Sequence, residues 1–285
     1  MREAQYYSKQ SGGITVCRLC PKQCNIAPGN TGACRARQNR GGVLYALNYG
    51  EVSSVALDPI EKKPLRRFFP GSTILSAGSF GCNFHCPFCQ NYGISQEKPQ
   101  TAAMPPEELV QSALSARGRG NIGIAYTYNE PLIWYEYVKE TAELAHGNGL
   151  LNVLVTNGYI NPAPLAALLP SIDAMNIDIK GGDAFYRELC GADRQTVLNT
   201  LQASYSAGLH IEATLLLVSG HNDNLHIVED IARKIAGVCT DIPLHISRFF
   251  PRYKMPDMPP TDMGFMGEAV QAAKSHLAYV YAGNV

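Results

Sequence analysis

From residue 73 onward the chain repeats one pattern: a strand-length apolar run, a polar turn, then a run with helical spacing. TILSAGSF (73–80), IGIAYTY (122–128), LNVLVT (151–156), AMNIDIK (174–180), IEATLLLV (211–218) and LHISRFF (244–250) predict strands, and LAYVYAG (277–283) a seventh. These runs are almost continuously apolar, which suits parallel strands covered by helices. Between them, Trp134, Val138, Ala142 and Ala145 recur at steps of four, four and three. Asn129 is the expected N-cap of that helix, Pro131 its first residue and Gly147-Asn148-Gly149 its stop. Val197, Leu201 and Tyr205, closed by Gly208, form a second core-facing stripe, and Ile227, Ile231, Ile235 and Val238 a third. Six or seven β–α units in series make an α/β chain with a parallel sheet, either a barrel or doubly wound. Both arrangements gather chemistry at the C-terminal ends of the strands.

Residues 1–72 read differently, as a small module of short strands around a cysteine group, followed by the turn-rich PIEKKPLRRFFPG. The expected division is therefore 1–72 and 73–285. Charge follows the same division. The first part carries 11 Lys/Arg against 4 Asp/Glu and the second 13 against 20, so +7 faces −7 in a chain of zero net charge. Docking of the two parts through complementary fields explains this. A nucleic-acid-binding arm would need a recognition motif or interleaved aromatics, which are missing. No apolar run approaches the ~18 residues of a membrane span. The opening MREAQYYSKQ lacks a signal peptide's apolar core, so the expected location is the cytoplasm.

Nine cysteines without an export signal point to metal or redox chemistry rather than disulfides. Cys17, Cys20, Cys24 and Cys34 form one group and Cys82, Cys86 and Cys89 another, whereas Cys190 and Cys239 read as small hydrophobes. The first group, four thiols in eighteen residues, predicts either a structural zinc or an auxiliary iron–sulfur cluster. The second lies on a loop straight after the first strand. A zinc site would want a fourth ligand, and His85 is poorly placed between two of the cysteines. Three thiolates suit a [4Fe–4S] cubane with one iron left open.

Polar groups follow every later strand as well: Asn129-Glu130-Pro131, Thr156-Asn157-Gly158, Asp178-x-Lys180, and His245, Arg248, Tyr253 and Lys254 around the sixth. On the fifth, His210, Glu212 and Thr214 alternate.

The CxxxCxxC loop, its position after the first strand and these strand-end groups resemble the radical S-adenosylmethionine (SAM) superfamily over residues 73–285. The resemblance implies a partial TIM-type (β/α)6 barrel. It also implies that Cys82, Cys86 and Cys89 hold a [4Fe–4S] cluster that cleaves SAM to a 5′-deoxyadenosyl radical, with Phe84 and Phe88 shielding it from water. It implies SAM-binding roles for Asn129, Glu130, Thr156, Asn157, Asp178, Lys180 and Arg248, with Glu130 receiving the methionine ammonium. Thr156-Asn157-Gly158 and Asp178-x-Lys180 resemble the TNG and DxK segments of glycyl-radical-activating enzymes. Val155, however, stands where those often carry an Asp associated with a cation. CRLCPKQC, ALDPIEKKPL, GCNFHCPFCQN, YTYNEP and RFFPRYKM together resemble the radical SAM member of the AmmeMemoRadiSam system, related to pyruvate formate-lyase-activating enzyme. That likeness implies Memo-like and AMMECR1-like partners and a reductant such as flavodoxin or ferredoxin. The competing readings are a glycyl-radical activase acting on a partner protein, an iron–sulfur electron-transfer protein and a zinc-binding scaffold.

Overall fold

The computed structural model describes residues 1–285. Its centre is an eight-stranded sheet: β1 (Ser54–Pro59), β2 (Thr73–Gly78), β3 (Asn121–Tyr126), β4 (Leu151–Thr156), β5 (Ala174–Asp178), β6 (His210–Leu217), β7 (Leu244–Arg248) and β8 (Val280–Gly283). The strands lie side by side in chain order. From β2 to β8 every pairing is parallel, while β1 runs antiparallel along β2. This is an α/β fold with a mostly parallel sheet, and the seventh predicted strand is part of it. The sheet begins earlier than expected, however. Ser54–Pro59 pairs with Thr73–Gly78, so a division at residue 72 would cut through the sheet. Ser54–Pro59 has no buried residue and no strand-length apolar run, so nothing in its sequence marks it as part of the central sheet.

The longer helices between the strands are α1 (Pro106–Ser115), α2 (Tyr135–Gly147), α3 (Pro162–Leu168), α4 (Arg194–Ser206), α5 (Leu225–Ala236) and α6 (Met263–Lys274). None is long and apolar enough to cross a membrane. Two expectations about them need correction. Pro131–Ile133 forms its own short turn, so α2 starts at Tyr135, and the Asn129 side chain is used elsewhere. Tyr205, in the last turn of α4, points outward and is 38% exposed.

Alternation along the strands sorts residues by size. Ile124, Leu154 and Met175 belong to the large core, and the smaller Ala125, Val153 and Ala174 face the other way. That second face is filled by the chain segment between β1 and β2. Ile60, Leu65 and Phe68 pack with Ile74 of β2, Ala125, Val153 and Ala174. Asn176 of β5 donates to the Pro64 carbonyl at 2.9 Å. Arg66 stacks over Tyr281 of β8 and Arg67 over Tyr279. One short segment thus meets strands from β2 to β8, so the sheet curls around it as around a plug.

Glu212 of β6 ties the plug down. Its buried carboxylate accepts from the amides of Arg66 (3.1 Å) and Arg67 (2.8 Å) and pairs with His210 (2.9 Å) and His245 (2.5 Å). Burial alone would raise this carboxyl, but the hydrogen bonds from His210, His245 and the two amides outweigh it and hold the group at about 2 instead of 4.5. His210 and His245 are therefore parts of the barrel's base and not of a strand-end site.

The first 53 residues form two small antiparallel sheets, one of Tyr7–Lys9, Thr15–Cys17 and Asn25–Ile26, the other of Arg2–Glu3, Val43–Ala46 and Arg37–Arg40. They dock on α2. Arg37 and Glu136, both almost fully buried, pair at 2.8 Å, and Glu136 also receives the Gln5 amide at 2.7 Å. Trp134 donates to the Asn48 carbonyl at 2.7 Å and Tyr49 to Glu140 at 2.7 Å. Charge complementarity between the two parts thus has a specific buried contact.

Because the folded carboxyl of Glu212 lies below its unfolded value, its contribution is complete above about pH 4.5 and disappears as pH falls toward 2. Glu212→Gln leaves two histidines and two amides short of an acceptor and is expected to cost on the order of 3 kcal/mol near neutrality, a drop in Tm of ~10 °C. Thermal melts of both proteins from pH 7 to 2 should converge at the acid end; a gap independent of pH would refute the assignment.

Candidate functional site

The strand-end cavity is built around the loop that follows β2, residues 79–91. This loop has no ladder of its own, and side-chain amides from neighbouring strand ends hold it. Asn129, after β3, accepts from the Ser79 amide at 2.8 Å and donates to the Gly81 carbonyl at 3.2 Å. Asn157, after β4, donates to the Asn83 side chain at 2.8 Å, and Asn83 donates to the Tyr159 carbonyl at 2.8 Å. At Gly81 the backbone turns left-handed (φ +87°), and an added Cβ would stand 2.5 Å from the Cys34 carbonyl oxygen. Only glycine fits there, because the N-terminal module presses directly on the loop.

Cys82, Cys86 and Cys89 all line one cavity of about 360 Å³, within the range of small-molecule sites. Phe84 and Phe88, both buried, line it beside them. As free thiols all three are disfavoured as anions. Burial, then the charges of Glu130 and Cys86, push Cys82 well up, and burial raises Cys89. A hydrogen bond with Cys190, together with burial, raises Cys86. A bound cation reverses that preference, since metal ligation takes the proton off a thiol. Nowhere in the chain do three Cys, His, Asp or Glu side chains converge tightly enough for a single ion.

The other strand-end residues stand beside the thiols, and Asn157 lies 3.7 Å from the Cys82 sulfur. Asn129, Glu130, Thr156, Asn157, Asp178 and Lys180 all line the same cavity, as the sequence predicts. Glu130 is its most constrained group. Its Oε1 accepts from the Leu132 amide (2.9 Å) and the Thr156 hydroxyl (2.6 Å), and its Oε2 from the Asn157 amide (2.8 Å). Burial pushes its carboxyl up to about 7, against the pull of those three donors. One lone-pair direction on Oε2 is left for a further donor. Asp178 and Lys180 pair at 2.8 Å. Burial works against the Lys180 charge, but Asp178, Cys86 and Cys190 outweigh it and keep the ammonium protonated.

Arg248 is not brought into the cavity. Its guanidinium donates to the Thr261 carbonyl at 2.9 Å and lies 5.0 Å over Phe250. Ser247 and Asn284 line the wall on that side instead. Tyr253 stacks on Tyr92 at 4.7 Å and the Lys254 amide donates to the Pro87 carbonyl, so this stretch covers the cysteine loop from outside. Lys62 and Pro64 of the plug supply the floor. These residues escaped the sequence reading because a plug has no period and because Ser and Asn are common at strand ends. Cys190 also escaped it: read as a small hydrophobe, it sits 3.6 Å, sulfur to sulfur, from Cys86.

Cys17, Cys20, Cys24 and Cys34 line a second, smaller pocket with Arg37 and with Asn83 from the cysteine loop. Burial pushes the Cys20 thiol up to about 12 and Cys34 to about 11.

Comparison with known proteins agrees with this geometry. The family model described as "Radical SAM superfamily" matches residues 78–235. The uncharacterized protein MJ0808 of Methanocaldococcus jannaschii is 44% identical over 297 residues, covering 100% of this chain and 86% of its own. In fold, the chain is similar to a radical SAM methyltransferase from Sphaerobacter thermophilus (TM-score 0.59, 17% identity, 75% of this chain and 67% of that one). It is also similar to Streptococcus suis SuiB bound to S-adenosylmethionine (TM-score 0.54, 10% identity, 72% of this chain and 48% of that one).

Glu130 generates a pH prediction opposite in sign to that for Glu212. Between about pH 4.5 and 7 the native chain binds more protons at this carboxyl than the unfolded chain, so stability falls as pH rises through that window. The metal-free protein should lose up to ~3 kcal/mol from this group, and Glu130→Gln should flatten the slope. Urea denaturation at pH 5, 6, 7 and 8 reads it; identical slopes for the two proteins would contradict it.

Proposed function

The chain belongs to the radical SAM superfamily, and on that premise we propose that Cys82, Cys86 and Cys89 hold a [4Fe–4S] cluster whose unligated iron faces SAM in the cavity they line. The superfamily is one of enzymes. The observation that carries the reading is that three thiols open onto one cavity that Glu130, Thr156, Asn157, Asp178 and Lys180 also line. The other clustered thiols occupy a pocket of their own. Cys190 lies too close to Cys86 to serve a different iron and does not line the cavity. When bound, the cluster supplies one electron that breaks a C–S bond of SAM, giving methionine and a 5′-deoxyadenosyl radical that takes hydrogen from a substrate.

The chain's own residues bind and orient SAM. Glu130, held by three donors, offers its remaining lone pair to the methionine ammonium, a charge-assisted contact. Thr156 and the Asn157 amide fix that carboxylate, so they act through it. Asp178 is an acceptor for ribose hydroxyls and Lys180 a donor for the methionine carboxylate, each already oriented by the other. Asn129 acts on the loop backbone rather than on SAM. Phe84 and Phe88 keep water from the cluster.

Several finer assignments belong to the same proposal. The four N-terminal thiols, which line one small pocket, hold a second metal centre, zinc or an iron–sulfur cluster. The electron donor is a flavodoxin or ferredoxin. The motif likeness to the AmmeMemoRadiSam system supports Memo-like and AMMECR1-like partners. Val155 gives the cavity an apolar wall where glycyl-radical activators often have Asp, which favours hydrogen abstraction from another substrate over a glycyl-radical activase. A cavity of this size beside the thiols has no purpose in an electron carrier.

The test is anaerobic. Protein reconstituted with iron and sulfide, given dithionite and SAM, should release 5′-deoxyadenosine, and Cys86→Ala should lower the release to background, at least 100-fold. Chromatography of the nucleoside product measures it. No release from wild-type protein that carries its irons would sink the proposal.

A further inference from the structure

Cys190 is 104 residues from Cys86 in sequence, yet the structure holds the two sulfurs in contact. It ends the wide helical turn Tyr186–Cys190 and is fully buried. The turn is fixed on both sides. Tyr186 receives the Lys180 amide at 3.0 Å, and its carbonyl accepts the Ala192 amide at 3.0 Å. Gly191, left-handed, lies flat against His85 of the cysteine loop, so close that an added Cβ would stand 2.0 Å from the ring. The Lys22 ammonium donates to the Gly191 carbonyl. The N-terminal module, the cysteine loop and the 186–191 turn thus clamp one another, and Cys190 has nowhere to move.

The sulfur of Cys190 has one hydrogen-bond partner, Cys86, at 3.6 Å, with Cys86 donating. A Cys86 that ligates iron has no proton to donate. The pair then retains a single proton, on Cys190, and the bond can persist only if its direction reverses. We propose that the Cys190 thiol donates a hydrogen bond to the Cys86 thiolate and thereby raises the reduction potential of the cluster; this rests on the function proposed above. A donor on a ligating sulfur withdraws electron density from iron and favours the more negative, reduced state. The Lys180 charge that also acts on Cys86 is opposed by that of its partner Asp178, 2.8 Å from it, whereas Cys190 is in direct contact with the Cys86 sulfur. Cys190 is a positioning residue for the electron: it touches a ligand, not SAM or substrate.

The experiment is a redox titration of the reconstituted protein under argon, followed by electron paramagnetic resonance of the reduced-cluster signal that changes when SAM is added. Wild type is compared with Cys190→Ala, Cys190→Val, which fills the space without a donor, and Cys190→Ser, which keeps one. At the potential where half the wild-type cluster is reduced, the Ala and Val proteins should show a reduced-to-oxidised ratio about tenfold lower, a shift of about 59 mV. The Ser protein should return to within about threefold of wild type, because its hydroxyl restores the donor. Wild-type potentials in Ala and Val would overturn the inference, as would a Ser protein that shifts as far as Ala. If Ala fails to retain its irons, Val against Ser decides. A wild-type protein with no reducible, SAM-sensitive cluster would overturn the underlying function, and this inference with it.

Discussion

A loop that must present three thiols to one cavity, yet has no secondary structure of its own, depends on side chains satisfying its backbone. Here that task falls to one connected set of buried polar groups: Asn129, Glu130, Thr156, Asn157 and Asn83. They join the ends of β2, β3 and β4 and leave no member without a partner. The arrangement is intolerant of single losses, since a buried group left unpaired costs ~1–3 kcal/mol. It also explains why Glu130 can be buried at all. Three donors converge on it from two strand ends, and a residue that lines the cavity is the same one that locks the strands together.

The parallel strands were legible because each is a near-continuous apolar run bounded by turn residues, and all seven predicted from residue 73 onward are present. The pairing of the antiparallel edge strand was not, because it joins positions 14 to 24 residues apart across the plug, from Pro59–Thr73 to Ser54–Gly78, a topology that composition does not encode. The strand-end positions of Glu130, Asp178 and Lys180 were readable for a physical reason: in a parallel sheet every strand delivers its following residues to the same rim. Arg248 misled for the same reason. It stands at a strand end, but its guanidinium is taken by the Thr261 carbonyl. Cys190 was illegible because contact with Cys86 arises only when the turn after β5 folds back on the loop after β2.

The two cysteine groups are close neighbours in space. Asn83 lines the pocket of the N-terminal four, and the Cys34 carbonyl sits where Gly81 would otherwise carry a side chain. Arg37 lies among the four thiols while its guanidinium grips Glu136 of α2. The excess positive charge of residues 1–72 is therefore partly a structural device. It pairs with carboxylate charge on the core, and it seats the module against the loop that carries Cys82, Cys86 and Cys89.

The plug has a consequence for how such a chain can be made. Ile60, Leu65 and Phe68 leave the ribosome before any of the seven parallel strands that enclose them. Each strand emerging afterwards finds part of its inner surface already present and can be added in order, β2 through β8, with no interior left to be threaded last. A circular permutant that opened the chain between the plug and β2 would keep every native contact and yet reverse that order, leaving a hollow sheet until the final residues were synthesised.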